Sequence, residues 1–302
     1  PTNYINKCMS NIFAMVTIKN TNHYTDYALK SFFKNTPINA DDDFFLIDND
    51  GCETGKFSAY GAIKIIKNDH PLNFAENVNQ VIDIALKNKK NLIFLTNDLV
   101  FTKDWIKPIL LNSSSISIPS NNQIFQYQSV CGNLKLKVTM DSKDFNENYE
   151  LLNDIAIKHK KKFNPNQKFQ TLLMPFSCFK IPYDILNQVG YLDSSYGTGG
   201  GEDVDYRIRS AIKGYNVDFL IDSYVLHFHG RSTWGIETRK QTEERNKKYT
   251  EIFLKKWGKD MTQIFIQRKD FINILEKKNA KHLFEKGKFG DLIREIYRNA
   301  KN

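Results

Sequence analysis

Asn91-Leu92-Ile93-Phe94-Leu95-Thr96-Asn97-Asp98 is the stretch that decides the fold. Its apolar run is too short for a core helix and stops abruptly at a polar tip, which reads as a strand. The run is apolar on both faces, as in strands of a parallel sheet covered by helices on either side. Upstream, Phe74, Val78, Ile82 and Ala85 mark a helical stripe, preceded by a short strand at Ala62–Ile66. Phe44–Ile47 is another strand, closed by the turn signal Asp48-Asn49-Asp50-Gly51. Tyr24, Tyr27, Ala28, Ser31 and Phe32 recur at helical spacing before Pro37, after a buried strand at Asn11–Ile18. This alternation predicts an α/β fold, Rossmann-like, with a mostly parallel central sheet and helices on both faces. Ligands in such folds bind beyond the carboxyl ends of the strands, where Asn20, Asp48 and Asp98 fall.

Downstream the pattern weakens between 112 and 168, apart from a helical stretch at Leu151–Lys162, and an insertion meeting a second substrate is expected there. Phe169–Phe179 reads as strand and Tyr183–Val189 as a short helix. Then comes Gly199-Gly200-Gly201-Glu202-Asp203-Val204-Asp205-Tyr206-Arg207-Ile208-Arg209, followed by Val225-Leu226-His227-Phe228-His229. Carboxylates and imidazoles gathered beside a bare backbone suggest a site, because burying charge without a task is costly. After Trp234 the chain turns helical, rich in Lys, Glu, Ile, Leu and Phe. The stripes Ile252/Leu254/Trp257 and Ile272/Leu275/Phe284 are expected to pack on the sheet or on a partner. The boundaries drawn are 10–235 for the main domain and 236–302 for a helical extension.

The 302 residues are 41% hydrophobic and 13% aromatic, enough for a real core, which excludes global disorder. A net charge of +9 suits a nucleic acid, a phospholipid surface or a phosphorylated small molecule, unless the lysines merely solvate the surface. The four cysteines show no CxxC pair, so neither a zinc ribbon nor a disulfide framework is expected, and reduced thiols point to the cytoplasm. No apolar run reaches the roughly 18 residues of a membrane span.

Assembled, these segments resemble a GT-A glycosyltransferase of the family 2 type. The matching pieces are Ile18-Lys19-Asn20-Thr21-Asn22, Ile47-Asp48-Asn49, Asn73-Phe74-Ala75-Glu76-Asn77-Val78-Asn79 and Leu95-Thr96-Asn97-Asp98. Gly201 through Arg209 matches the late Gly-x-Glu-Asp-x-Asp motif and its arginine, with Gly214-Tyr215 beyond. The Gly-Gly-Glu-Asp core, and a histidine after the next strand, are also similar to galactosyl- and GalNAc-transferases. One position departs from the pattern: Thr96-Asn97-Asp98 keeps a carboxylate only at the last place of the "DxD" triplet.

The resemblance implies transfer of a sugar from a nucleotide-sugar, UDP-sugar favoured, to a hydroxyl of a glycan, lipid-linked or protein acceptor. A divalent cation, Mn²⁺ or Mg²⁺, would stabilise the departing diphosphate. Asp98 is its expected carboxylate ligand and His227 its imidazole, after Ser223-Tyr224-Val225-Leu226, with His229 as the fallback. Asp203 is the expected general base of an inverting reaction, and Glu202 its neighbour toward the sugars. Asn20, Asp48, Asn49, Asn79, Asn97, Gly200 and Gly201 are the expected donor contacts, with Asn73 a weaker one. Asp205 and Arg209, four apart on a helix, make a bracing ion pair. Other readings stay open: a charged first helical turn for the acids, a ligand-free turn at Asp48, and a hydrogen-bonded strand-end histidine at His227. Trp105 and Trp234 could stack on sugars or belong to the core. A retaining reaction, a metal-dependent hydrolase, or a non-enzymatic basic module binding nucleic acid or membrane are the alternatives. For a transferase no nucleic acid is expected, and the C-terminal helices could give a peripheral membrane contact or a homodimer.

Overall fold

In the computed structural model the described residues are 9–51, 55–57, 60–122, 145–228 and 237–301. The amino-terminal half runs β1 (Asn11–Thr17), α1 (Asn22–Asn35), β2 (Asp43–Asp48), β3 (Ile63–Lys67), α2 (Phe74–Asn88), β4 (Asn91–Thr96), β5 (Leu99–Phe101), α3 (Ile106–Leu111) and β6 (Ile116–Asn121). It continues with α4 (Phe145–Lys160), β7 (Lys168–Gln170), β8 (Cys178–Ile181), α5 (Tyr183–Val189), α6 (Glu202–Ile212) and β9 (Val217–His227). The carboxyl-terminal helices are α7 (Arg239–Thr262), α8 (Phe271–Lys277), α9 (Lys281–Glu285) and α10 (Phe289–Lys301).

One sheet of nine strands, ordered β3-β2-β1-β4-β8-β6-β9-β5 with β7 also on β9, holds the described residues together. Its first four strands are all parallel. Beyond β4 the sheet is mixed: β8 is antiparallel to β4 and β6, β9 is parallel to β6, and β5 and β7 are antiparallel to β9. The chain builds outward from β1 to β3, then crosses back through α2 to lay β4 on the other side of β1. That reversal between β1 and β4 is where a doubly wound sheet opens a crevice.

Period-two alternation sends the strand residues to two cores. Ile12, Ala14, Leu92 and Phe94 pack with Ala75, Val78, Ile82 and Ala85 of α2. Phe13, Met15, Ile93 and Leu95 pack with Ala28, Leu29 and Phe32 of α1. Helix α2 starts at a capping box, Asn73 accepting from the Glu76 amide and Glu76 from the Asn73 amide, a device worth about 1 kcal/mol.

The expected strand over Phe169–Phe179 is two strands, β7 and β8, with turns between them. The predicted weak region holds β6 and α4, while 123–144 lie outside the described residues. Trp105 is core: it is fully buried, and its indole donates to Thr36 Oγ1 at 2.9 Å. Trp234 lies outside the described residues. A third core joins Leu173, Tyr196, Val204 and Ile208 to Phe253, Met261, Leu275, Leu292 and Ile296, so the carboxyl-terminal helices pack on α6. The predicted stripes are partly displaced, since Leu254 and Ile272 are exposed and Phe253 takes the buried place.

Candidate active site

A cleft of about 790 Å³ opens at the carboxyl ends of β1, β2 and β4. Asn20, Asn49 and Asn97 line it, as expected from their places after these strands. Asn20 sits at φ +69°, a left-handed conformation that asparagine tolerates better than most residues. Asn49 organises the floor. Its Oδ1 accepts from Asn68 and Asn77 side chains and from the Leu72 amide, each at 2.9 Å, and its Nδ2 donates to the Leu72 carbonyl at 3.1 Å. Asn97 donates to Thr21 and Thr25 hydroxyls at 2.8 and 2.9 Å, tying the end of β4 to α1. Asp48 is buried at the end of β2, beside this wall.

Three other expected donor contacts do not line the cleft. Asn79 exchanges both of its amide bonds with Leu192, donating at 3.0 Å and accepting at 2.8 Å, and does not line the cleft. Asn77 lines it instead, because two residues of helix turn the side chain by more than half a revolution. Gly200 and Gly201 are absent from the lining of the cleft, and tyrosine rings pack against them. A Cβ on Gly200 would meet the Tyr249 ring at 3.0 Å, and one on Gly201 the Tyr196 ring at 2.8 Å, both at positive φ. These glycines let two tyrosines press on the chain as it enters α6.

Asp98 and His227 come together. Strand β5 pairs with β9 so that Leu99 faces His227, which sets Asp98 beside the imidazole with Nε2 at 3.3 Å from Oδ1. Asn122 fixes His227 from behind, exchanging bonds of 2.8 and 3.1 Å with its backbone. Sequence reasoning missed Asn122, since nothing local marks an asparagine more than a hundred residues away. Burial raises the Asp98 carboxyl, but the close imidazole of His227 and the Thr96 side chain outweigh it and hold it below the usual carboxylate range. Asp98 Oδ1 is buried and receives no well-directed hydrogen bond.

A carboxylate oxygen and an imidazole nitrogen that share one ion at about 2.1 Å each stand about 3 Å apart. The Asp98–His227 pair therefore fits a divalent cation. Among the described residues no cluster of three or more His, Cys, Asp or Glu surrounds a common point, and His229 lies outside them. Water and phosphate oxygens would complete the shell.

Glu202 and Asp203 open α6. Glu202 is buried and its Oε2 has no hydrogen-bond partner; burial, then the neighbouring Asp203 charge, push its carboxyl well up. Asp203 is half-buried and accepts from the Val204 amide at 2.7 Å, and burial raises it less far. Two adjacent carboxyls of unequal acidity can keep one proton between them. Asp205 braces the turn as expected, receiving Arg209 Nε at 2.8 Å. It also receives Trp257 Nε1 at 2.9 Å and Lys256 Nζ at 2.8 Å from α7.

No protein-family model matches the sequence, and no curated protein does. Solved structures do match. GalNAc-T7, determined with UDP, GalNAc and Mn²⁺, superposes with a TM-score of 0.59 at 13% identity over 93% of this chain. The fold is that of GT-A glycosyltransferases. This chain spans 56% of the GalNAc-T7 chain. S. aureus TarS 1–349 matches at TM-score 0.50 and 12% identity, over 97% of this chain and 91% of TarS. TarS with UDP-GlcNAc gives 0.51, also at 12% identity, over 97% and 92% of the two chains. Within this fold the cleft lies at the β1/β4 switch point, and the Asp98–His227 pair at the neighbouring strand ends.

Proposed function

We propose that this protein is a metal-dependent, inverting glycosyltransferase that moves a sugar from a nucleotide-sugar, UDP-sugar favoured, to a hydroxyl of a glycan or glycoconjugate acceptor. The observation that carries this reading is the meeting of Asp98 and His227 at 3.3 Å, directly after Asn97, which lines the 790 Å³ cleft at the strand ends. Asn20, Asp48, Asn49 and Asn97 form the wall that holds the nucleotide. Asp98 and His227 would hold Mn²⁺ or Mg²⁺, which when bound acts as a Lewis acid toward the diphosphate.

Asp203 takes the proton of the acceptor hydroxyl as its oxygen attacks the anomeric carbon. The new carbon–oxygen bond forms as the bond to the diphosphate breaks, and the nucleoside diphosphate leaves from the opposite face. A base works best with a pKa near the working pH, and burial moves Asp203 in that direction. Glu202, held neutral beside it, donates a hydrogen bond to a sugar oxygen. Asp205, tied to Arg209, Trp257 and Lys256, keeps the turn in place while Asp203 reacts.

Incubation with a panel of nucleotide-sugars and Mn²⁺, read by nucleoside diphosphate release, checks this. Release with at least one UDP-sugar, lost on chelation of the metal, is expected. No release from any member, together with no thermal stabilisation by UDP and Mn²⁺, would overturn the reading.

A further inference from the structure

Two cations of α7 face the cleft that the strand ends build. Arg245 and Lys248, three residues apart, share one face of the helix and line the cleft with Tyr196, Gly197 and Thr198. They line the same cleft as Asn20, Asn49 and Asn97 and come from beyond the segment whose motifs resemble a transferase.

Arg245 is held in place before any ligand arrives. Its side chain is only 11% exposed, pairs with Glu237 at 3.1 Å, and donates through Nη1 to the Gly199 carbonyl at 3.4 Å. A guanidinium presents its donor hydrogens in a fixed planar fork, the geometry that matches phosphate oxygens. Lys248 is exposed, with its ammonium beside Gly197. The carboxylates lining the cleft are committed elsewhere: Asp50 accepts from the Lys19 amide at 2.5 Å and Glu76 from the Asn73 amide at 2.8 Å. Residues 237–302 carry 18 Lys and Arg against 10 Asp and Glu, so nearly all of the +9 charge belongs to these helices.

We infer that Arg245 and Lys248 bind the diphosphate of the nucleotide, so that α7 completes the donor site that the GT-A strands begin. The inference rests on the transferase reading for the identity of its ligand. Cations fixed on a phosphate that gains negative charge as the sugar departs also favour the transition state over the ground state.

Calorimetric titration of UDP and of uridine, with Mn²⁺ present, tests this on wild type, Arg245→Gln and Lys248→Gln. Each variant should lose about tenfold in UDP affinity, the scale of one charge-assisted bond, and keep its uridine affinity within about twofold. Equal losses for UDP and uridine, or UDP affinity unchanged in both variants, would overturn the inference. Lys248→Gln carries the result if Arg245→Gln melts early, because Lys248 is exposed and no core depends on it. A wild type that binds no UDP overturns the transferase reading as well, whereas tight wild-type binding matched by both variants overturns this inference alone.

Discussion

Glu202 and Asp203 are neighbours in sequence with different surroundings. Glu202 is 6% exposed and lacks a partner for Oε2, and burial with the Asp203 charge raises its pKa to about 8. A carboxyl raised on folding stabilises the protein fully below its unfolded value, about 4.3, and loses that contribution as pH climbs through the folded value. Wild-type stability should therefore decline between about pH 4 and pH 8. Glu202→Gln, neutral at every pH, should flatten that decline, and its melting temperature should gain on wild type most above pH 8. Parallel melting curves for the two proteins across that range would show that Glu202 is not held neutral. A motif gave the neighbourhood of single residues, as for the closeness of Asp98 to His227 and the Asp205–Arg209 pair, but not the task each performs. Asn77 lines the cleft and Asn79 does not, a difference of helical phase that a motif's spacing leaves open. Only the register of α2 against the strand ends shows which asparagine reaches the cleft.

Among elements, the turn from the glycines into α6 depends on what presses against it. Gly201 sits at φ +94°, with the Tyr196 ring 2.8 Å from where a Cβ would stand. Gly201→Ala should cost about 1–3 kcal/mol from backbone strain and contact, seen as a melting temperature several degrees lower. Gly214→Ala, at φ +92° with nothing within 4 Å of the added carbon, shares the backbone strain but not the contact and should melt above Gly201→Ala. Equal melting temperatures for the two would remove the proposed packing role of Gly201. The sequence shows the glycines but not both rings that press on them, since Tyr249, against Gly200, arrives from a helix almost fifty residues later. The same limit hid the cleft face of α7: amphipathic spacing tells that a helix buries one side, not what it buries that side against. Most amino-terminal strands and helices were legible to within a few residues, because buried strands and amphipathic helices have distinct periods. The short strands β5, β7 and β8 carry too few residues for a period to register, and their pairing depends on β9 and β4.

At the scale of the whole molecule, a parallel half and a mixed half meet at β4. The first supplies the asparagine wall, and the second brings β9 back so that His227 reaches Asp98. The alternation of strands and helices made the first half readable, while the mixed half depends on long-range pairing that no local pattern encodes. The carboxyl-terminal helices close the assembly through a core shared with α6. No helix of the described residues is long and apolar enough to cross a membrane. In the proposed reaction, nucleotide and metal would be held at the strand ends and α7, and the proton would be removed at the head of α6. The most direct measurement is Asp203→Asn, assayed in parallel for sugar transfer from the accepted nucleotide-sugar and for UDP binding with Mn²⁺. The account predicts a fall in transfer of about 10²–10⁴-fold, the usual contribution of a general base, with UDP affinity within about threefold of wild type. Transfer at the wild-type rate would contradict it.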